Sequence, residues 1–244
     1  MDAGKTYGKD DTLADIISSG NSEIDSKMGG GIPVSSLGLI EGANDSGKSV
    51  LMQQLMKGGL DGQKKVLMFT TENTNRSLLK QMESLALDIT DYYIVGRAKI
   101  YPIQENLAKG NRETAENLLQ VMLKTIESSR EDLIIIDSLT VFVVDLPENE
   151  ILDFFTRCKK LCDRGKTILI TAHGYAFSEM LLVRLRSICD VHLHLKIEQM
   201  GEQLVKSMEI SKVRGAQKAT GNIFSFDIRP NFGFKIIPIS KARA

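Results

Sequence analysis

Tryptophan is absent from the 244 residues, cysteine occurs three times and proline five times, and neither sign of charge prevails, with 31 Lys and Arg against 31 Asp and Glu. Three thiols, Cys158, Cys162 and Cys189, are too few for a disulfide framework and fit a reducing compartment. A formal charge of zero speaks against a broad basic face, so nucleic acid is not the expected partner. No run is apolar for the about 20 residues a membrane span needs. The longest, Leu133 to Leu146, is broken by Asp137 and Ser138. The opening MDAGKTYGKDD holds no apolar signal region. These shortages predict a cytoplasmic protein without a span of its own, held near a membrane only through partners. What is present, 42% hydrophobic and 25% charged residues, is the make-up of an ordinary globular chain, which excludes collagen-like, coiled-coil and wholly disordered states. The length suits one domain over residues 1–244.

Residues 1–36 are polar and rich in Gly and Ser, and read as an irregular lead-in. From Leu37 onward short apolar runs alternate with helical patterns. Strands are predicted at Leu37–Glu41, Lys65–Thr70, Ala98–Ile103, Leu133–Ile136 and Thr167–Thr171, and helices at Ser49–Leu60, Ser77–Leu87, 113–129 and 148–164. In the third helix Ala115, Leu118, Leu119, Met122, Leu123 and Ile126 share one face. In the fourth, Pro147 precedes, Gly165 follows, and Ile151, Phe154, Phe155, Cys158, Leu161 and Cys162 line one side. After Cys189 the chain reads as alternating strands, VHLHLKI, LVKSMEISK, IFSFDI and FKIIPI. Strand–helix alternation implies an α/β fold, a mostly parallel sheet with helices on both faces and an antiparallel extension at its C-terminal edge.

Gly42-Ala43-Asn44-Asp45-Ser46-Gly47-Lys48-Ser49 fits G-x-x-x-x-G-K-[ST] at every fixed position, with a strand before and a helix after. Glycines let backbone N–H groups close around anionic oxygens, and the helix start adds unpaired N–H groups and its positive dipole end. The expected nucleotide-holding set is Gly42, Asn44, Asp45, Ser46, Gly47, Lys48, Ser49 and Val50, with Lys48 reaching the outer phosphates of ATP and the Ser49 hydroxyl ligating Mg²⁺. Asp137 closes a buried apolar strand, where a carboxylate can hold the magnesium hydration shell opposite Ser49.

The loop, VLMFTTEN, IIIDS and ILITAH together resemble the RecA superfamily, specifically its KaiC-like branch, over nearly the whole chain from about residue 20. SEIDSKMGGGIP before the loop and Lys212-Val213-Arg214-Gly215 near the end are similar to further motifs of that branch. GANDSGKS and TTEN point within it to accessory proteins of the archaeal flagellum, the archaellum. The resemblance implies a RecA-like fold, ATP bound between protomers of a ring (a hexamer), and Lys212 and Arg214 reaching the γ-phosphate of a neighbour. It also implies two partners, the archaellum motor ATPase and a membrane platform protein. Two departures stand out. KaiC-like hydrolases end the second strand in two consecutive carboxylates, whereas here Glu72 is followed by Asn73, an amide that cannot accept a proton at neutral pH. The loop carries Asn44-Asp45-Ser46 in place of small residues, which left-handed backbone tolerates. Together they imply ATP binding with weak or absent hydrolysis, the nucleotide state governing oligomer and docking. Two alternatives remain, an active ATPase or autokinase with Glu72 as base, and a RecA-like single-stranded DNA-binding protein.

Other candidates read mainly as structural. Cys158 and Cys162 lie on an apolar helix face, His192 and His194 share a strand face without a third ligand, and Tyr92-Tyr93 and Phe154-Phe155 read as core. His173 ends ILITAH, near where the resembled family senses the γ-phosphate, and packing is the competing role.

Overall fold

The lead-in ties itself to the body of the protein through short elements and polar contacts. In the computed structural model, which describes residues 15–104, 111–200, 203–216 and 223–237, β1 (Ile16–Ile17) pairs antiparallel with β2 (Ile32–Pro33) around the short helix α1 (Ser22–Lys27). Asn21 caps α1 by accepting from the Glu23 and Ile24 amides, as a side-chain oxygen does at a helix start. Its amide also donates to the Phe234 carbonyl at 3.2 Å, across 213 residues of sequence. Residues 15–36 thus carry regular structure where irregular chain was expected, and residues 1–14 lie outside the described part.

The main sheet has nine strands in the order β11-β10-β9-β8-β3-β7-β6-β4-β5. Its parallel part comprises β3 (Leu37–Gly42), β4 (Val66–Thr70), β5 (Ala98–Pro102), β6 (Leu133–Asp137), β7 (Thr167–Ala172) and β8 (Val191–Met200). Strands β3, β4, β6 and β7 are buried along their whole length, which is why they read as unbroken apolar runs. The antiparallel part is β9 (Gln203–Val213), β10 (Ile223–Arg229) and β11 (Gly233–Ile237). The sequence places the four late strands β8 to β11 correctly, although residues 238 and 239 of the last lie outside the described part.

Helices cover both faces, the RecA-like arrangement expected. On one face α2 (Lys48–Asp61) and α3 (Asn75–Ser84) pack with Phe224, Phe226 and Phe234. On the other lie α5 (Arg112–Ser128), α6 (Thr140–Val143), α7 (Glu148–Cys162) and α8 (Glu179–Ile188), around Phe142, Phe154 and Phe155. A further helix, α4 (Thr90–Ile94), has no buried residue. Tyr92 and Tyr93, expected in the core, are there only half-buried, with their hydroxyls bonded to Asp61 and Asn75. Phe154, Phe155 and all three thiols are buried as expected, and burial pushes the Cys162 thiol up to about 12.

Local chemistry corrects some boundaries. α3 starts at Asn75 rather than Ser77, because Thr74 and Ser77 form a reciprocal cap. It stops before Leu87, where Ala86 takes a left-handed φ of 58°. α7 ends at Cys162, and Gly165 then turns at φ 100°. α4, α6 and α8 were not foreseen, being short or only weakly amphipathic.

Candidate nucleotide-binding site

The C-terminal ends of β3, β4, β6 and β7 open into one cleft of about 850 Å³. The loop after β3 forms its floor. A Cβ on Gly42 would lie 2.4 Å from the Leu195 carbonyl oxygen and 2.7 Å from Ser46 Oγ, so only glycine lets the chain leave the sheet this way. Gly47 has φ 100°, and a Cβ there would press on Phe226 and Ile228 at 3.0–3.2 Å. Asp45 also takes a left-handed φ, 56°, a conformation aspartate tolerates better than most side chains. α2 begins directly at Lys48 with no side chain capping it, so no side chain competes for its leading N–H groups.

Lys48 is buried, and its ammonium donates to the Gly42 carbonyl at 3.1 Å and the Ala43 carbonyl at 2.7 Å. Burial holds its pKa below the usual lysine value, against the pull of Asp137, Glu72 and Asp45. The Ser49 hydroxyl lies 3.2 Å from Asp137 Oδ1 and 3.4 Å from Glu72 Oε2. Thr171 Oγ1 donates to the same Asp137 Oδ1 at 2.6 Å, while Asp137 Oδ2 is buried without a hydrogen bond. Burial, with the nearby Glu72 charge, raises the Asp137 carboxyl to about 6, and the bonds from Thr171 and Ser49 work the other way. A hydroxyl, a buried carboxylate with an unpartnered oxygen and a second carboxylate form a hard-oxygen set that fits magnesium, which keeps several waters and takes few protein ligands. Among the described residues no cluster of three or more His, Cys, Asp or Glu is suited to a dedicated metal cage.

Of the expected set, Asn44, Asp45, Gly47, Lys48, Ser49, Val50 and Glu72 line the cleft. Gly42 and Ser46 do not; they are buried beneath the loop and shape it from behind. Asn73 is turned aside, its Oδ1 accepting from Ser77 Oγ at 3.1 Å at the start of α3. Lys212 and Arg214 do not reach the cleft of their own chain. Lys212 pairs with His192 and through it with Leu39, away from the loop end of β3. Its ammonium caps α8 by donating to the carbonyls of Arg186, Ser187 and Cys189, and Arg214 Nη1 stands 3.7 Å from Asp190 Oδ1. His192 and His194 face Glu41, the former at 2.9 Å and the latter at 3.8 Å, and Arg186 closes on the same carboxylate.

Sequence reasoning missed Gln81, Thr140, Val144, Tyr175, Lys206 and Ile228, which also line the cleft. They come from α3, α6 and the residue that follows it, the turn after β7, and β9 and β10, and belong to no motif, so no spacing could have found them.

A family model described as the KaiC ATPase matches residues 17–241. The chain belongs to the KaiC ATPase family. Among KaiC-type relatives it is 36% identical to the archaeal flagellar ATP-binding protein FlaH of Sulfolobus acidocaldarius, over 94% of this chain and 100% of that one. It is 26% identical to FlaH of Methanocaldococcus jannaschii, over 88% of this chain and 91% of the relative. The crystal structure of the flagellar accessory protein FlaH from M. jannaschii superposes with a TM-score of 0.79, 26% identity, and coverage of 93% of this chain and 99% of the other. The circadian clock protein KaiC3 of Synechocystis is 28% identical over 51% of this chain, though that stretch is only 24% of KaiC3. Among the described residues no helix is long and apolar enough to cross a membrane.

Proposed function

We propose that this KaiC-family chain is a regulatory ATP-binding accessory protein of an archaellum motor, in which bound nucleotide sets the oligomer and its docking to the motor ATPase. The observation that carries the reading is the loop cradle: Gly47 at φ 100°, a buried Lys48 and an uncapped helix start facing one cleft. Gly42, Ser46 and Gly47 would shape the loop, Asn44, Asp45, Lys48, Ser49 and Val50 would meet the nucleotide, and Mg²⁺ would sit between Ser49 and a water-bridged Asp137. Magnesium would neutralise phosphate charge there and keep Asp137 ionised.

Weak or absent hydrolysis is part of the proposal. Glu72 lines the cleft, while Asn73, which stands where KaiC-like hydrolases carry a second carboxylate, bonds to Ser77 instead. A ring, read as a hexamer, with Lys212 and Arg214 offered to the neighbour's nucleotide, is a further part of it. So is a cytoplasmic protein placed at the membrane by the motor ATPase and a platform protein. A ligand that contacts only one interface state shifts that equilibrium by its differential affinity.

A second reading, a working ATPase, is favoured by one contact: the Glu72 carboxylate lies 3.4 Å from Ser49 Oγ, inside the cleft. Calorimetry with Mg-ATP on wild type and Lys48→Ala, with turnover measured on wild type and Glu72→Gln, tests both. The regulatory reading expects binding that Lys48→Ala abolishes and turnover that Glu72→Gln barely changes. A fall of about 100-fold or more in Glu72→Gln is the signature of a general base and would replace it. Undiminished binding by Lys48→Ala would end both.

A further inference from the structure

The end of the sheet opposite the cleft carries two aliphatic side chains in open solvent. Ile94 and Val95 are 74% and 68% exposed where α4 turns into β5. The turn is a Schellman cap. Gly96 takes φ 74°, its N–H donates to the Tyr93 carbonyl at 3.1 Å, and the Arg97 N–H donates to the Tyr92 carbonyl at 2.9 Å. Such a cap is often closed by an apolar contact across it. Here the Arg97 guanidinium closes it, lying over the Tyr92 ring 5.3 Å from its centre and donating to the Leu60 and Lys64 carbonyls. Tyr92 and Arg97 thus brace the turn against the end of α2, and Ile94 and Val95 form its tip.

A single exposed apolar residue is ordinary. Two in succession on a braced turn are a preformed apolar tip, and the charge around them says what meets it. Strands β4, β6 and β7 begin at this same end, beside β5. Lys57, Lys64 and Lys99 are paired there with Asp61, Asp15 and Glu131. Among the described residues Lys65, Arg97, Arg130 and Lys166 have no carboxylate partner, while Asp91 and Asp132 are exposed anions. The tip therefore stands in a modest excess of positive charge.

We propose that the Ile94–Val95 turn and the cations around it dock this chain directly on an anionic lipid surface. A protruding tip gives a protein partner little of the roughly 800 Å² per side that a stable interface buries. A bilayer needs no matching shape: aliphatic side chains enter at headgroup depth, and cations meet anionic lipids. A short apolar tip and a few cations are each marginal anchors, and together they give reversible attachment. The cleft opens at the other ends of β4, β6 and β7, so the docked chain keeps it turned away from the lipid. The proposal does not depend on the nucleotide reading, and it adds a contact of the chain's own to any that partners supply.

The chain has no tryptophan, so Val95→Trp places a single reporter at the tip. Its emission should shift to the blue with vesicles of phosphatidylcholine and phosphatidylglycerol, and should not with phosphatidylcholine alone. Wild type should float with the anionic vesicles. Ile94→Ser combined with Val95→Ser should cut that partitioning about tenfold or more. Lys65→Gln and Arg130→Gln should each cut it about fivefold, and added salt should weaken it too. Because both aliphatic residues are exposed, the Ser pair should keep the wild-type melting temperature and Mg-ATP affinity, which separates loss of docking from loss of the nucleotide site. Wild type that does not float, flotation that the Ser pair leaves unchanged, or a reporter that stays in water on floated protein would overturn the proposal. So would a vesicle-free dimer in sedimentation velocity that the Ser pair abolishes, which would assign the tip to a second copy of this chain.

Discussion

Thr171 Oγ1 donates to Asp137 Oδ1 at 2.6 Å between two buried strand ends, and the other oxygen of that carboxylate, Oδ2, is buried without a hydrogen bond. The threonine therefore aims the acid as well as stabilising it. Thr171→Val keeps the shape and removes the bond. It should cost about 1.5–3 kcal/mol of stability, the range for a hydrogen bond to a charged group. It should also push the Asp137 carboxyl above its present value of about 6. Magnesium-dependent nucleotide binding should then weaken most at pH 6 and recover toward pH 8. Urea denaturation and calorimetry at the two pH values check this, and a loss of equal size at both would show that Thr171 acts through packing alone.

Asp137 itself should be a burden to the metal-free fold. An acid whose folded pKa is raised, here from 3.8 to about 6, favours folding while protonated, and that contribution is lost as pH climbs through this window. Asp137→Asn mimics the neutral form. At pH 7 without magnesium it should be more stable than wild type, on the order of 2 kcal/mol. The difference should shrink by pH 5, and the variant should lose the stabilisation that Mg-ATP gives wild type. A variant less stable than wild type at pH 7 would mean that Asp137 is held ionised by its surroundings after all.

The sheet and the cradle were legible because they obey local rules. Strands buried on both faces spell themselves out, as Leu133–Asp137 does, and a phosphate loop needs glycine at fixed offsets, as Gly42 and Gly47 show. The rest depends on contacts between parts distant in sequence. Nothing near Asn21 announces its bond to Phe234, and nothing near Lys206 or Ile228 marks them as walls of a cleft whose floor is residues 42–49. Asn73 was legible as a departure, but its bond to Ser77 required the α3 cap to be seen. His173 was legible as a strand end and illegible as a ring 3.0 Å from Thr140 Oγ1.

Glu41 gives the fold a dependence on pH of opposite sense to Asp137. Burial pushes its carboxyl up, yet the hydrogen bond and charge of His192, together with Arg186, outweigh burial and hold it below the ordinary glutamate value of 4.5. A lowered acid contributes stability above its unfolded pKa and loses it as pH falls through the folded value. Denaturation midpoints should therefore drop below about pH 4.5 in wild type, with a shallower drop in Glu41→Gln. At pH 7 Glu41→Gln should cost about 2 kcal/mol, less than the loss of a fully buried pair because Arg186 is partly solvated. Parallel pH profiles would remove Glu41 from the acid response.

Lys212 holds two claims that one variant would confuse and two can separate. Its ammonium donates to three carbonyls at the end of α8, where a cation also meets the negative end of the helix dipole. Lys212→Ala should therefore lower the stability of the isolated chain by about 1 kcal/mol without any nucleotide present. Among the described residues the Arg214 side chain makes a long contact, 3.7 Å to Asp190, and it is largely exposed, so Arg214→Ala should stay within about 0.5 kcal/mol of wild type. If both side chains also serve a neighbour's nucleotide, both variants should lose ATP-driven assembly in sedimentation velocity while binding ATP as protomers. To serve it, Lys212 must leave the α8 carbonyls, so assembly should loosen the end of that helix, visible as faster amide hydrogen exchange around residues 186–189. Slower exchange there on assembly, or intact assembly in both variants, would confine Lys212 and Arg214 to the fold of their own chain.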